Sequence, residues 1–345
     1  STINQFRRPD TSIGRLAGPI PGTPAEAQAV YNFIVNGIYP TTEPLVQGIL
    51  NQTMRYMPNP YALHWSLENQ LTFGRDWTLT LSYVGERAAG INGLSSMPYS
   101  LKKIGLTADG RNLYGPSNPN YAFYFYTFPG NWSHYESGTV TLMKRFSHFY
   151  MVNATYTYSR TLDAMNAGTQ SIADIPEDPF NYAQEKAVSN ESVPHNFILM
   201  ATAEAPEGSF LRNFAISTAT TLQSGRFSSI FAGSDVQGDG IPQNDRVGHV
   251  GRNTYRGDHL YQVDLRITRD FSLTKKISGQ FVAEGFNLIN RPNVYVVNTV
   301  YGAPDFIGPV PTHYGQNVTA PLSSFGRPSV TGPGRQFQFA LKFKW

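Results

Sequence analysis

The chain has 345 residues. It carries 27 Lys and Arg residues and 24 Asp and Glu residues, so its net charge is +3. A net charge this small indicates no nucleic-acid partner. Cysteine is absent, which excludes disulfides, thiolate metal sites and a cysteine nucleophile. Only 15% of the residues are charged, against about 25% in an ordinary soluble domain, while Tyr (20) and Phe (22) are abundant. The sequence contains no run of about eighteen apolar residues, so it predicts no transmembrane helix.

The first sixty residues carry no alternating strand pattern. Thr23-Pro24-Ala25-Glu26 fits a helix-capping box with proline at the first helical position. Apolar residues then follow at helical spacing, which predicts a short amphipathic helix over residues 24–36. No positively charged and then apolar leader opens the chain, so we expect that any signal peptide is missing from this sequence or already removed.

Strict alternation of apolar and polar residues begins at residue 61 and recurs in pairs of segments. A period of two indicates extended strands, because successive side chains point to opposite faces of a sheet. The pattern predicts about nine long strands. They are 61–73 with 77–83, 135–146 with 149–160, 195–205 with 213–224, 261–271 with 275–288, and the last strand, 335–345.

The last eleven residues form the clearest strand of the chain. Every second position is apolar and mostly aromatic, and the alternate positions include Lys342 and Lys344. A strand of about eleven residues rises roughly 36 Å and, tilted by about 45°, spans the roughly 25 Å apolar band of an outer membrane. It resembles the C-terminal strand that the barrel-insertion machinery of bacteria recognises. We therefore assign a membrane-insertion signal to Phe337, Phe339, Leu341, Phe343 and Trp345.

The connections alternate in length, being short within each pair and long between pairs. The long ones, 85–134, 161–194, 225–257 and 289–334, are rich in Gly, Pro, Asn, Asp and Ser. Short periplasmic turns and long extracellular loops are typical of an antiparallel transmembrane β-barrel. Residues 61–345 are thus predicted to be barrel strands and extracellular loops, and two of these loops to contain strands of their own at Tyr121–Phe128 and Asn293–Tyr301.

The strand count and the direction of the last strand have two consequences. The C-terminus of a bacterial barrel is periplasmic, so counting backwards predicts that residues 1–60 are an extracellular loop and helical segment. Closed single-chain bacterial barrels have even strand numbers, and an open edge in lipid costs several kcal/mol per unpaired backbone group. We expect the remaining strands on an upstream segment or on a second chain.

One acidic loop is a weak candidate for a calcium site. Asp235, Asp239 and Asp245 recur at short spacing around glycines, as oxygen ligands do in calcium loops, but Arg246 stands where an EF-hand has its bidentate glutamate. The alternative is a polar turn that uses these residues for local hydrogen bonds. Otherwise we expect no cofactor and no enzymatic activity, because no HExxH, GxSxG, GxGxxG or P-loop motif is present.

Three stretches resemble one family. They are Asn59–Leu71 running into Trp77–Gly85; Gly251–Gly257 with Val263–Ile267 and Ala283–Asn293; and Gly334–Trp345. They are similar to the C-terminal half of TonB-dependent receptors of the Oar-like type, common in Acidobacteria. The resemblance implies a barrel of about 22 strands, an N-terminal plug and a TonB box. The chain has no plug, no TonB box and fewer than half of those strands, so it would be the C-terminal part of such a receptor.

The expected function follows from this resemblance. The chain would line part of an outer-membrane receptor of a Gram-negative bacterium that imports a bulky substrate. Its partners would be outer-membrane lipid, the insertion machinery, the upstream plug and strands, and TonB through that plug. A passive pore or a surface-structural, adhesive barrel is one alternative, and a soluble secreted β-protein is another.

Overall fold

The computed structural model describes residues 48–53, 57–96, 101–117, 121–165, 175–303, 306, 308–316 and 320–345. The helix predicted over residues 24–36 lies outside this part of the chain. The described residues form strands and one 3-10 helix, Tyr182–Glu185, with no α-helix among them. None of the helical structure in these residues is long and apolar enough to cross a membrane.

Seventeen strands occur in the described residues. In chain order they are β1 Gly48–Thr53, β2 Tyr61–Phe73, β3 Trp77–Ser96, β4 Leu101–Leu106, β5 Asn112–Pro116, β6 Tyr121–Ser147, β7 Tyr150–Asp163, β8 Ala187–Val188, β9 His195–Glu204, β10 Phe214–Gln223, β11 Phe227–Ser228, β12 Tyr255–Arg256, β13 Leu260–Ser272, β14 Ser278–Phe286, β15 Val294–Val297, β16 Pro328–Thr331 and β17 Gln336–Lys344.

Nine of these strands form one antiparallel sheet in the order β2-β3-β6-β7-β9-β10-β13-β14-β17. They are the nine long strands that the alternation predicts. The short strand β8 extends the sheet beside β7, and β1 pairs in parallel with the first residues of β6. No pairing joins β2 to β17 within the described residues, so the sheet is an open wall with two edges.

The strand register collects apolar side chains on one face of this wall. Leu81 of β3 lies opposite Val140 of β6, and Val140 lies opposite Tyr156 of β7. The same face continues across the sheet through Phe197, Leu222, Tyr261, Ile267, Ala283 and Phe339. Many of these large side chains are exposed, which is the opposite of their arrangement in a water-soluble sheet.

The opposite face carries polar side chains that hydrogen-bond across the strands. The hydroxyl groups of Thr139 and Thr157 are 3.0 Å apart, and those of Thr202 and Ser217 are also 3.0 Å apart. Such cross-strand pairs add about 0.2–1 kcal/mol each to the stability of a sheet. One face of the wall is therefore apolar and the other polar, as the period of two predicts.

The terminal strand has the predicted register. Phe339 of β17 lies opposite Ala283 of β14, and Lys342 lies opposite Gln280 on the other face. The apolar side chains are largely exposed, with Phe339 at 68%. The ring of Phe339 also stacks on Phe281, with 6.3 Å between the ring centres. The predicted strand is confirmed as an element of the fold, and its role as an insertion signal stays a prediction.

The short connections lie together at one end of the wall, here called the turn end. Between β6 and β7 the turn is formed by His148 and Phe149, both with positive φ (52° and 68°), one residue later than the sequence indicates. Two consecutive positive φ angles give a turn whose twist matches that of the paired strands. Lys144, on the apolar face, bends back so that its Nζ donates to the carbonyl oxygen of Ser147 at 2.7 Å and lies 3.8 Å from the ring centre of Tyr150.

The long connections lie at the other end, here called the loop end. The predicted strands within them are present: β6 already begins at Tyr121, and β15 covers Val294–Val297. Three small two-stranded sheets, β4-β5, β11-β12 and β15-β16, also form there. The strand β1 lies in the segment for which the sequence predicts no strand. Its sequence, Gly-Ile-Leu-Asn-Gln-Thr, has no alternation that could have revealed it.

Candidate functional site

The long connections pack against each other in a structure that we call the loop cap, made of the described residues in 101–117, 175–194, 224–259 and 293–334. Backbone hydrogen bonds join segments that are far apart in the chain. The amide of Tyr114 donates to the carbonyl of Gln237 at 2.6 Å, and the amide of Phe231 donates to the carbonyl of Thr299 at 3.0 Å. The cap is therefore a folded unit at the loop end of the wall.

The loop cap has a small hydrophobic core of its own. Ile230, Ala232, Val247, Tyr255 and Tyr301 are at most 2% exposed and pack together. The ring of Phe325 meets the rings of Tyr255 and Tyr301 edge to face, with 5.8 and 5.3 Å between ring centres. Burial raises the pKa of Tyr255 to about 12, so this hydroxyl stays neutral in the core at neutral pH.

A buried ion-pair cluster links three of the cap segments. Arg246 reaches Glu185 at 2.8 Å and Glu177 at 2.7 Å, and Arg111 reaches Glu177 at 2.7 Å. Burial alone would lower the pKa of Arg246, but the two glutamates outweigh it and hold the pKa above its usual range. Removing one member of a buried ion pair costs about 3–5 kcal/mol, because the other charge is left without a counter-charge.

A further buried pair fastens the cap to the wall. Arg252 of the cap forms an ion pair with Asp163, the last residue of β7, and its Nε donates to the carbonyl oxygen of Glu185 at 2.8 Å. None of these partners is evident in the sequence, because charged residues in Gly- and Pro-rich loops show no periodicity. Only their contacts across the fold reveal them.

The three aspartates of the calcium hypothesis lie in the cap, in two turns. Asp235 accepts hydrogen bonds from the amides of Gly238 (2.6 Å) and Gly240 (2.8 Å), and Asp239 accepts from the amide of Ile241 (2.9 Å). Gly238 and Gly240 have φ of 71° and 88°, where glycine is favoured. The two carboxylates thus close local Asx turns.

Asp245 is fully buried beside them. Its carboxylate accepts hydrogen bonds from the amides of Val236 and Gln237, the latter at 3.2 Å. Burial, and next the charge of Asp239, raise the pKa of Asp245 to about 8. Among the described residues no group of three or more His, Asp or Glu side chains is arranged to hold a metal ion. Calcium binding by Asp235, Asp239 and Asp245 stays a prediction.

Two cavities share four of their lining residues, and the larger of the two lies between the cap and the loop ends of β10 and β13. The larger has a volume of about 520 Å³ and is lined by polar and aromatic residues, among them Arg226, Tyr255 and Tyr295. The smaller has a volume of about 250 Å³ and reaches the buried ion pairs at Glu185 and Arg246. The sequence gives no indication of either cavity, because their walls come from three separate loops.

The wall has one apolar and one polar face, short turns at one end and folded loops at the other. These features define it as part of a membrane-spanning antiparallel β-barrel, with the apolar face outside and the polar face inside. The profile of the outer membrane beta-barrel domain family matches residues 1–246 and 239–338, and the chain belongs to this family. The protein is therefore located in the outer membrane of a Gram-negative bacterium. This membership decides against the soluble secreted alternative.

Three solved structures are similar to the chain, each at 11% sequence identity. The outer membrane transporter YddB from Escherichia coli has a TM-score of 0.46 over 74% of this chain and 32% of that protein. FpvA from P. aeruginosa, in complex with a pyoverdine and iron, has a TM-score of 0.44 over 83% and 27%. The copper transporter OprC has a TM-score of 0.41 over 84% and 32%. The chain thus spans a third or less of these proteins, and no curated protein sequence matches it.

Proposed function

We propose that the chain is the C-terminal part of a TonB-dependent receptor of the Oar-like type, which imports a bulky substrate and has no enzymatic activity. The open wall is the observation that supports this most directly. Its edge strands, β2 and β17, have almost every residue exposed and one side without a strand partner in the described residues. Unpaired backbone groups in lipid cost several kcal/mol each, so further strands must complete the barrel.

The completed barrel would be wide. Nine strands already form an open wall, and a barrel of about 22 strands, as the resemblance implies, encloses a lumen that a plug fills. Short turns are periplasmic and long loops extracellular in such barrels, so the loop cap would face the outside, where a substrate arrives. The plug and the other strands would come from an upstream segment or a second chain, and TonB would act through that plug.

The test begins with the protein purified from its native outer membrane. We expect intact-mass measurement to find a plug and the remaining strands, either covalently attached to this chain or on a second polypeptide that co-purifies. We also expect uptake of the substrate to stop when TonB is deleted or the inner-membrane proton gradient is dissipated. A complete barrel without a plug, or uptake that needs no TonB, would refute the proposal.

The folded loop cap favours a second candidate, a passive pore or surface-structural barrel that uses its loops for adhesion. A cap with its own core and buried ion pairs offers a rigid surface for contact with other molecules. Planar bilayer recordings separate the two candidates. A passive pore conducts ions steadily without a plug, whereas a plugged receptor conducts little. Deletion of the gene is a separate test, because loss of a purely adhesive barrel would leave uptake unchanged.

A further inference from the structure

The turn end of the wall carries an excess of positive charge. The four short turns and the strand ends beside them comprise residues 73–77, 144–150, 204–214 and 269–278. They hold seven Lys and Arg residues against four Asp and Glu residues, and this excess equals the net charge of the whole chain. Six of the seven basic residues are exposed, and we call them the basic belt: Arg75, Arg145, Arg212, Arg269, Lys275 and Lys276.

No residue of the basic belt forms an ion pair within the part of the chain that the structure describes. Two of the acidic residues at the turn end bind neutral groups instead. Asp76 accepts a hydrogen bond from the hydroxyl of Ser147 at 2.6 Å, and Asp270 accepts one from the side-chain amide of Gln280 at 2.9 Å. Three arginines of the loop cap, in contrast, each have an acidic partner: Arg226, Arg246 and Arg252. The charge of the belt is therefore open to an anion from outside the chain.

Hydrogen bonds hold two neighbouring turns of the belt together. Nη2 of Arg145 donates to the carbonyl oxygen of Arg75 at 2.6 Å, and the amide of Arg145 donates to the carbonyl oxygen of Asp76 at 2.9 Å. Two arginines from separate turns are thus neighbours, although their like charges repel each other. An external anion that contacts both turns would relieve this repulsion.

Arg269 shows which side of the wall the belt faces. The strand register places it opposite Phe214 and Phe281, on the apolar face, and its guanidinium lies 5.0 Å from the ring centre of Phe214. A charged side chain on the lipid face is costly at the midplane of the bilayer but costs little at its interface. Arg269 therefore marks the level of the lipid headgroups.

Exposed aromatic residues accompany the belt at this level. Phe146 is 49% exposed, and Phe210, in the turn between β9 and β10, is 97% exposed. Aromatic residues form girdles at both interfaces of a transmembrane barrel. Exposed phenyl rings among unpaired arginines and lysines fit a membrane interface better than they fit a partner in water.

The position of the turns decides which lipids the belt meets. Short turns are periplasmic in this class of barrel, and the periplasmic leaflet of an outer membrane consists of glycerophospholipids. Guanidinium groups bind phosphate through paired hydrogen bonds, and a net positive belt favours a headgroup with a net negative charge over a zwitterionic one. We propose that the basic belt binds the headgroups of anionic glycerophospholipids in the periplasmic leaflet. This lipid site goes beyond the proposed transport function and does not depend on it.

The test measures which lipids stay bound to the complete protein, purified from the outer membrane with any further strands that it carries. The protein is reconstituted into vesicles of phosphatidylethanolamine and phosphatidylglycerol, extracted again in mild detergent, and its bound lipids are quantified by mass spectrometry. We expect phosphatidylglycerol to be enriched over its share in the vesicles. Because salt screens exposed charges, the enrichment should fall when sodium chloride is raised to about 0.5 M.

Two belt variants and one matched control locate the lipid site. Arg269→Gln, and Lys275→Gln combined with Lys276→Gln, should lower the preference for phosphatidylglycerol about fivefold for each charge removed. Lys342→Gln combined with Lys344→Gln removes as much charge as the double belt variant and near the same end, but these lysines lie on the polar face, so we expect the preference to stay unchanged. All five side chains are exposed, so the variants should fold, and the salt series needs no variant at all.

Several outcomes would overturn the inference. They are wild-type protein without enrichment of phosphatidylglycerol, an enrichment that salt does not reduce, and an equal loss in the belt variants and the control. Peptidoglycan is another anionic polymer of the periplasm. If the belt variants sediment less with purified peptidoglycan but keep their lipid preference, the belt binds peptidoglycan and the lipid proposal is wrong. Neither measurement involves substrate or TonB, so failure of the lipid site leaves the transport proposal standing, and failure of TonB-dependent uptake leaves the lipid site standing.

Discussion

Asp245 makes the stability of the loop cap depend on pH in an unusual direction. Its carboxyl is fully buried, and its pKa rises from 3.8 to about 8 through burial and the nearby charge of Asp239. The folded cap therefore binds a proton that the unfolded chain releases above about pH 4. Where the native state holds more protons, stability falls as the pH rises. The contribution of Asp245 is fully present below about pH 4 and is lost by about pH 8.

The size of the effect follows from the two pKa values. Each pH unit between them corresponds to about 1.4 kcal/mol, so the whole interval corresponds to about 6 kcal/mol. Between pH 5 and 8 we expect the opening free energy of the cap to fall by about 3–4 kcal/mol more in the wild type than in Asp245→Asn. An amide is isosteric with the neutral carboxyl and does not titrate. The difference between the two proteins removes the contributions of other groups.

Hydrogen exchange measured by mass spectrometry, corrected for the intrinsic pH dependence of exchange, gives the opening free energy of peptides that cover residues 230–247. Asp235→Asn is the control, because Asp235 lies exposed in the same loop. Equal slopes in the wild type and Asp245→Asn, or a wild-type cap that becomes more protected as the pH rises, would refute the reasoning.

Calcium gives a second readout of the same carboxylates. If Asp235, Asp239 and Asp245 bind calcium, the ion competes with the proton on Asp245, and calcium at about 1 mM should restore protection at pH 9 in the wild type. It should not do so in Asp245→Asn. Unchanged exchange of the wild type in calcium would contradict the calcium hypothesis and leave the prediction for the proton untouched.

Three further substitutions test separate parts of the fold. Phe343→Asp puts a charge on the apolar face of β17, and we expect much less protein in isolated outer membranes on an immunoblot; normal amounts would refute the insertion signal. Arg246→Leu removes the ion pair with buried Glu185 and leaves Arg111 as the remaining arginine on Glu177, so we expect the cap to lose about 3–5 kcal/mol by hydrogen exchange, whereas unchanged exchange would show that the cluster contributes nothing. Gly225→Ala places a methyl group against the carbonyl of Gly257 and should open the cap to protease at a cost of about 1–3 kcal/mol; Gly138→Ala, with no atom near its new methyl group, should not.

The wall could be predicted from the sequence because each strand carries its own signal. In β17 the large apolar side chains occupy every second position. This alternation already fixes which side chains lie on the apolar face of the sheet, whichever strand pairs with β17. The turn at His148 and Phe149 was misplaced by one residue, because neither residue is a usual choice at positive φ. The parallel strand β1 was missed, since a short strand that pairs with only one end of β6 needs no alternation.

The loop cap could not be predicted, because its stability comes from contacts between distant loops. Arg246 and Glu185 are 61 residues apart, and Arg111 and Glu177 are 66 apart. The spacing of Asp235, Asp239 and Asp245 is visible in the sequence, but whether the aspartates converge depends on how the loop folds. In the structure two of them cap local turns, and the third is buried and accepts hydrogen bonds from the amides of Val236 and Gln237.

The wall and the cap depend on different interactions, and their failures should therefore be separable. The wall is held by strand pairing and by the match of its apolar face to lipid, neither of which involves the cap core. The cap is held by its own core and ion pairs and is joined to the wall at points such as Asp163 with Arg252. A cap variant such as Arg246→Leu should insert normally with a less stable cap, whereas a β17 variant should lose insertion, and with it every activity at the cell surface.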